Sequence, residues 1–354
     1  MIQGFWKTLA TPIIGLSPMD GVTDFPFREI TKKYGRPAVI YTEFTSVEGV
    51  CHGAEQLLRD FLFGEIERPI IGQIYGTTPD YFRQTAIVLC QLGFDGIDIN
   101  MGCPAKNVAH SGAGAALIKT PELAQEIIRQ TKAGVQDWIN GKTVRDCLNI
   151  TVNIALEVEK RASVLPEFFQ QKRAIPVSVK TRVGYDAPII HDWISNLLEM
   201  KPAAIALHGR TLKQQYSGLA DWELIGEAAE LVHQTETLLL GNGDVKSLSD
   251  AIDKITEFKL DGILIGRASM GNPFVFLEIE QQPAATKLIA VALEHSQLYE
   301  ATYGHLQKYN FLPMRKHLGW SVHKIENAAK IRQEIYQCSS SHDFQAVIEK
   351  YQLN

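Results

Sequence analysis

Short apolar, β-branched runs recur along the chain, and stretches with the spacing of amphipathic helices separate them. The first run is Thr11-Pro-Ile-Ile-Gly-Leu-Ser-Pro-Met19, before a helix from about Asp24 to Tyr34. Asp24 suits the cap of that helix and Pro26 its first turn. Further strands are predicted at 38–44, 69–75, 96–101, 176–182, 203–208, 238–242 and 262–266. A helix over about 78–92 and another from about Pro121 stand between them. Strands alternating with helices imply parallel pairing. Eight such units make the expected class α/β, a (β/α)8 TIM barrel. An open doubly wound sheet is the runner-up. The count of eight and the missing Gly-x-Gly-x-x-Gly after the first strand disfavour it.

Two regions fall outside that pattern. Residues from about 135 to 172 lie between the fourth helix and the fifth strand and read as a helical insertion, with Leu148, Val152, Ala155 and Leu156 at helical spacing. After Pro283 no strand pattern returns. The chain therefore divides into a barrel, 1–283, and a C-terminal all-helical domain, 284–354.

Composition narrows the partners. The net charge is −5, yet His305 to Arg332 holds six basic residues against one acid, Glu326. A local basic patch on an acidic protein is an electrostatic footprint. The five cysteines, Cys51, Cys90, Cys103, Cys147 and Cys338, have no paired spacing, which suits a reducing cytoplasm. The N-terminus lacks a signal-peptide pattern, and no apolar run is long enough to span a bilayer. No histidine and acid pattern suggests a metal site.

Candidate chemistry sits at the C-terminal ends of the strands, the active edge of this architecture. Those ends carry Ser17-Pro-Met-Asp20, Gln73, Asn100, Cys103, Lys180, Arg182, His208-Gly-Arg210, Asn242-Gly-Asp244 and Gly266-Arg267. The glycines after strands seven and eight occupy the usual phosphate position of the fold, where Arg267 adds a fork for a phosphate oxygen. A phosphate site together with Lys180, Gln73 and Asn100 suits a phosphorylated ring cofactor with carbonyl and N–H edges. Lys180 would stabilise the negative charge of a reduced flavin. By itself Cys103 reads as a small buried hydrophobe. Its place between Gly102 and Pro104, where strand four becomes a loop, makes it a candidate for catalysis. With an unperturbed pKa of about 8.5 it would be mostly thiol and a general acid. A thiolate nucleophile is the competing role, favoured if Lys106 or a helix N-terminus lowers that pKa.

Taken together, Ser17-Pro-Met-Asp-Gly-Val-Thr-Asp24, Gln73, Asn100-Met-Gly-Cys-Pro-Ala-Lys106, Val179-Lys-Thr-Arg182, His208-Gly-Arg-Thr211, Asn242-Gly-Asp244, Ile265-Gly-Arg267 and Met314-Arg-Lys-His-Leu-Gly-Trp320 resemble the tRNA-dihydrouridine synthase family. The resemblance covers almost the whole chain in order. It implies reduction of the C5–C6 double bond of particular tRNA uridines, with FMN as cofactor and NADPH as reductant. It implies that Pro18, Met19, Asp20, Gln73, Lys180, His208, Asn242, Gly243, Asp244, Gly266 and Arg267 bind FMN, and that Cys103 is the proton donor. Asn100, Lys106, Arg182 and Arg210 would hold the uridine. Affinity for tRNA phosphates would come from the C-terminal helices, through Arg315, Lys316, Lys324 and Arg332, with Lys308 and Lys330. The extended base would have to leave its stack. Two departures stand out. Asp20 replaces a small residue of many relatives, and the insertion exceeds the family's usual connection.

The nearest enzymatic rival is an FMN barrel acting on a free pyrimidine, such as a dihydroorotate dehydrogenase. That enzyme has no use for a basic helical domain. A tRNA-binding protein without redox turnover is the rival from another class, and the full set of strand-end residues argues against it. The expected enzyme is a cytoplasmic monomer, without a membrane or metal partner.

Overall fold

The apolar runs form eight parallel strands that close into a barrel in chain order. This architecture is that of a computed structural model describing residues 4–215, 217–278, 283–323 and 325–353. The strands are β1 (Ile13–Leu16), β2 (Ile40–Ser46), β3 (Ile70–Tyr75), β4 (Gly96–Met101), β5 (Val177–Gly184), β6 (Ala204–Thr211), β7 (Leu238–Asn242) and β8 (Gly262–Ile265). Closure comes from β1 pairing with β8, Ile13 to Gly262 through Leu16 to Ile265. β5 and β6 run further than the apolar pattern predicts, past a register shift between Arg182 and Gly184. The extension of β6, Gly209-Arg210-Thr211, is not apolar and that of β5 is only Val183-Gly184, so hydrophobicity does not mark them. Pairing to a neighbouring strand does.

Helices cover the outside. Phe25–Gly35 is capped by Asp24, whose side chain accepts the Phe27 N–H at 3.1 Å. Pro79–Gln91, Pro121–Ile139, Ile190–Glu199, Trp222–Val232 and Leu248–Phe258 follow their strands. Only a short helix, Val47–Cys51, and 3-10 turns join β2 to β3. The strand residues that face these helices are almost wholly apolar and buried, as parallel strands covered on both faces must be. Trp6, on the 3-10 turn Gly4–Thr8, packs with Ile13, Val39, Tyr41, Ile71, Leu238 and Leu264.

The insertion differs from its reading in two respects. The helix before it continues unbroken to Ile139, so the extra segment begins later than Val135. Its own helix, Val152–Ala162, does not bury the expected stripe: Leu148, Val152 and Leu156 are 96%, 63% and 52% exposed. Ala155 is buried, but alongside Ile154 and Val158, a stripe two positions out of phase with the predicted one. Spacing places residues on one face of a helix. It does not say which of two apolar faces meets the protein.

The C-terminal helices Ala285–Tyr303, Leu312–Ser321, Ala328–Ile335 and Ser341–Lys350 have a core of their own around Met314, Leu318, Ile335 and Phe344. The first of them docks on Phe25–Gly35 through Leu288, Val291, Ile30 and Phe274. Glu294 accepts from Lys33 Nζ at 2.6 Å and from the Tyr34 hydroxyl at 2.5 Å. Gly271 lets the chains touch, since a Cβ there would lie 2.7 Å from the Trp320 carbonyl carbon. The helices therefore sit beside the loop that follows β1, and Lys316 donates from them to the Gly21 carbonyl. Among the described residues no helix is long and apolar enough to cross a membrane.

Candidate active site

Side chains alternate along a strand, so inward residues of neighbouring strands fall into rows. Register puts Gln73 beside Asp98, Asn100 beside Lys180, Arg182 beside His208 and His208 beside Asn242. The lower rows of the barrel interior are apolar and these upper rows are polar. Above them opens a cavity of about 660 Å³, lined by the β1 loop at Pro18, Met19 and Asp20, by Asn100, Cys103 and Lys106, by Lys180, Arg182 and His208, and by Asn242, Gly243, Asp244, Gly266 and Arg267. These residues come from six strands, and the barrel brings them to one place.

Two predicted site residues stand behind the wall. Gln73 is fully buried, with its amide between Asp98 at 2.7 Å and Asn100 at 3.0 Å. Arg210, 2% exposed, donates to the Gly218 carbonyl at 2.7 Å and to Asp244 at 2.5 Å. Neither lines the cavity. Phe44 and Met270 do, and strand-end polarity could not have flagged them because they are apolar.

The loop after β7 is built for close approach. Gly243 has φ of 131°, and a Cβ there would lie 2.5 Å from that of Ala220. Asp244 follows with φ of 53°. Its carboxylate accepts from Arg210 and Arg267, each at 2.5 Å, and from the Ala220 N–H at 2.8 Å. Burial pushes its pKa up. The bonds from Arg210 and Ala220 and the two guanidinium charges outweigh that and hold it below the usual carboxylate value. A carboxylate so occupied repels a phosphate and holds the two arginines in place. Arg267, its side chain 56% exposed, is the partner facing the opening.

Lys180 donates to Asn242 Oδ1 at 3.0 Å, and Asn242 donates to the Leu264 carbonyl at 2.8 Å. Burial, then the neighbouring Arg182 charge, lowers the Lys180 pKa to about 8 against the pull of Asp98 and Cys103. The ammonium remains mostly protonated at pH 7 and would gain from an anionic neighbour. Burial, then the charges of Lys180, Arg182, Arg210 and Arg267, holds His208 well below its ordinary range. Its Nε2 stands 3.2 Å from Arg210 Nη1. Arginine can only donate, so Nε2 is the acceptor and the single ring proton of neutral His208 is on Nδ1.

Cys103 is half-buried at the edge of the cavity. Its N–H and that of Gly102 donate to Asn100 Oδ1 at 2.8 and 3.1 Å. Arg182 Nε donates to the Gly102 carbonyl at 2.7 Å, and Nη1 reaches the carbonyls of Thr211 and Gln215. Burial pushes the Cys103 thiol pKa up, and Asp20 adds to this. The Ala105 N–H and the charges of Arg182 and Lys180 only partly offset it. The short helix Lys106–His110 does not reverse the balance. The residue is a thiol at neutral pH. Asp20 stands at the rim with its surface open to solvent, and partial desolvation by the surrounding protein raises its carboxyl against the Lys316 charge and the Gly21 N–H.

On the C-terminal helices, Arg315 Nε donates to the Cys338 carbonyl at 2.8 Å and Lys316 to that of Gly21. Both predicted RNA contacts are thus also structural ties. Lys308 and Lys330 are exposed, and Arg332 is half-buried. Lys324 lies outside the described residues.

The residues fit a flavin mononucleotide by the chemistry of their donors. One wall offers Lys180, Arg182, Arg267 and neutral His208 to anionic and carbonyl oxygens, and the glycines leave backbone uncovered. The volume lies within the roughly 300–1,000 Å³ of ligand sites.

Comparison with known proteins agrees in kind. The family model "Dihydrouridine synthase (Dus)" matches residues 15–161 and 162–354. A "Probable tRNA-dihydrouridine synthase" of Staphylococcus epidermidis is 32% identical over 99% of this chain and 97% of its own length. "Probable tRNA-dihydrouridine synthase 2" of Bacillus subtilis is 30% identical, over 99% of this chain and 98% of its own. A crystal structure of a DHODH from Eimeria tenella superposes with a TM-score of 0.41 and 14% identity, over 65% of this chain and 60% of that one, a likeness too slight to carry an argument. The match to the family model runs through both the barrel and the C-terminal helices, and the chain belongs to the dihydrouridine synthase family.

Proposed function

We propose that this chain is a flavin-dependent tRNA-dihydrouridine synthase that reduces the C5–C6 double bond of uridine in tRNA, with Cys103 as the proton donor. The observation that carries the reading is the state of Cys103. It faces the cavity, is held by its backbone, and is kept as a thiol by burial rather than activated as a nucleophile.

FMN held in this cavity would supply, once reduced by NADPH, the hydride for C6. The chain's own residues do the rest. Lys180, Asn242, Gly243, Gly266 and Arg267 hold the cofactor, and Asp244 acts through the two arginines it pairs. Pro18 and Met19 close the opposite side, with Asp20 at the rim. Asn100, Arg182 and His208 face the uracil edge, and Lys106 stands where the chain of an extruded nucleotide enters. Cys103 gives its proton to C5. The charges of Arg182 and Lys180 favour the thiolate left behind until solvent protonates it again. The exposed Lys308 and Lys330, with Arg332, take tRNA phosphates, while Arg315 and Lys316 order the helices that present them.

The test is anaerobic. Reduced, flavin-loaded enzyme is mixed with unmodified tRNA, flavin reoxidation is followed, and dihydrouridine is assayed by mass spectrometry. Reoxidation with dihydrouridine formed, lost in Cys103→Ala, is the expected result. Reoxidation by a free pyrimidine and not by tRNA would overturn the reading.

A further inference from the structure

Asp98 is a carboxylate in the middle of an apolar strand, fully buried, and it does not reach the cavity. Burying a charge is costly unless it is fully bonded. Its oxygens accept from Gln73 Nε2 and Ser178 Oγ, each at 2.7 Å. From there a chain of bonds leads to the reacting thiol. Gln73 Oε1 accepts from Asn100 Nδ2 at 3.0 Å, and Asn100 Oδ1 accepts the N–H groups of Gly102 and Cys103.

The two ends of this chain leave the middle no choice. A carboxylate can only accept, and backbone N–H groups can only donate. Each amide between them has one arrangement that satisfies both neighbours. Gln73 must turn its NH₂ to Asp98 and its oxygen to Asn100, and Asn100 must turn its oxygen to Cys103. Without an acceptor at position 98 the backbone N–H groups still favour this arrangement, but the buried Gln73 NH₂ loses its partner, so Gln73 and Asn100 are anchored from one end only and the loop at Cys103 loosens.

We infer that Asp98 is a positioning residue: through Gln73 and Asn100 it fixes the backbone of Cys103, and hence where the thiol delivers its proton. The inference rests on the reading of Cys103 as the acid. The carboxylate does not line the cavity; besides orienting two amides, its charge favours the Lys180 ammonium, and Asp98→Asn removes that charge while keeping the acceptor, which separates the two effects.

The experiment compares Asp98→Leu, of similar size and without an acceptor, with Asp98→Asn. Asparagine keeps an oxygen for Gln73 if its NH₂ faces Ser178, whose hydroxyl already stands 3.3 Å from the Ile97 carbonyl. Two quantities are read on the flavin-loaded enzyme: the alkylation rate of Cys103 by iodoacetamide, followed on its peptide, and the single-turnover rate with unmodified tRNA. In Asp98→Leu, alkylation rises by about threefold or more as the loop loosens. Turnover falls by about tenfold or more while the Kd for tRNA stays within about twofold. Asp98→Asn stays close to the parent on both. Parent-like values in Asp98→Leu, or an equal loss in Asp98→Asn, overturn the inference. If Asp98→Leu does not fold, Gln73→Met cuts the same chain one link on, and unchanged Cys103 alkylation there overturns it equally. A parent enzyme that does not turn over tRNA would sink the functional reading, and alkylation would still decide the relay.

Discussion

His295 and His317 meet edge to face under Phe27, their ring centroids 5.0 Å apart and their planes at 82°. Both are buried where the C-terminal helices dock on the barrel. His295 Nε2 and His317 Nδ1 have no hydrogen-bond partner among the described residues, beside a cavity of about 30 Å³. Burial lowers His295 to about 3. Burial, then His295 and Lys316, puts His317 well below its ordinary range. Both rings are neutral at pH 7.

The sign of the pH effect follows. An unfolded histidine titrates near 6.5. Below that pH and above the folded values, the unfolded chain binds more protons, so stability is full above about 6.5 and is lost as pH falls, by about 1.4 kcal/mol per unit for each histidine. The acids Asp24, Asp60 and Asp98, each raised to about 6 by burial, and Glu43, raised to about 8, pull the other way in parent and variant alike, because folding favours their protonated forms. Urea unfolding at pH 7.5 and 5.5 is therefore compared between the parent and His295→Met/His317→Met. Because those acids are common to both, the change in stability on acidification is more unfavourable in the parent than in the variant. Equal losses would mean that the pair does not couple docking to pH.

Cys103→Ala lowers dihydrouridine formation by about 10²–10⁴-fold, the usual worth of a general acid, while flavin and tRNA still bind. Because the thiol pKa is raised, the parent rate shows no rise through neutrality from ionisation of Cys103, and that ionisation lowers it only above the ordinary thiol value. A parent rate that instead rises through neutrality would point to thiolate chemistry. Single-turnover rates against pH decide between them.

Asp244 and Arg267 separate on different axes. Asp244→Ala leaves the 2%-exposed Arg210 without its counter-charge and costs about 3–5 kcal/mol of stability, with flavin affinity falling as well. Arg267→Ala removes a side chain that is 56% exposed and weakens flavin binding with little loss of stability. Urea midpoints and flavin fluorescence titration measure the two. Equal stability losses would refute the clamp.

The insertion offers a contrast between two apolar stripes. Ile154→Ala, at a fully buried position, costs about 2–5 kcal/mol, whereas Leu156→Lys on the exposed face changes stability by less than about 0.5 kcal/mol. Thermal unfolding of the two variants checks it.

The barrel could be read along the chain because its information is local. A strand covered on both faces must be continuously apolar, so Ile70–Tyr75 and Gly96–Met101 announce themselves, and the Asp24 cap and Pro26 announce the helix between β1 and β2. The polar ends of the strands were equally visible. Depth was not. Gln73 and Asn100 both interrupt apolar strands and both point inward, yet one lies under the floor and the other in the wall. Their difference comes from strand register, which pairs Gln73 with Asp98 and Asn100 with Lys180. Asp98 is illegible along the chain for the same reason: a lone acid between Ile97 and Ile99 has no meaning until its acceptors meet the donors of two other strands. Arg210, Arg315 and Lys316 look like ligand-facing cations in one dimension, and the packed chain turns them toward Asp244, Cys338 and Gly21. Periodicity and residue chemistry along the chain thus determined the fold class, the strand ends and the candidate thiol. Which polar groups face the cavity and which satisfy one another behind it depended on contacts between residues far apart in sequence, because a hydrogen bond needs both partners in place.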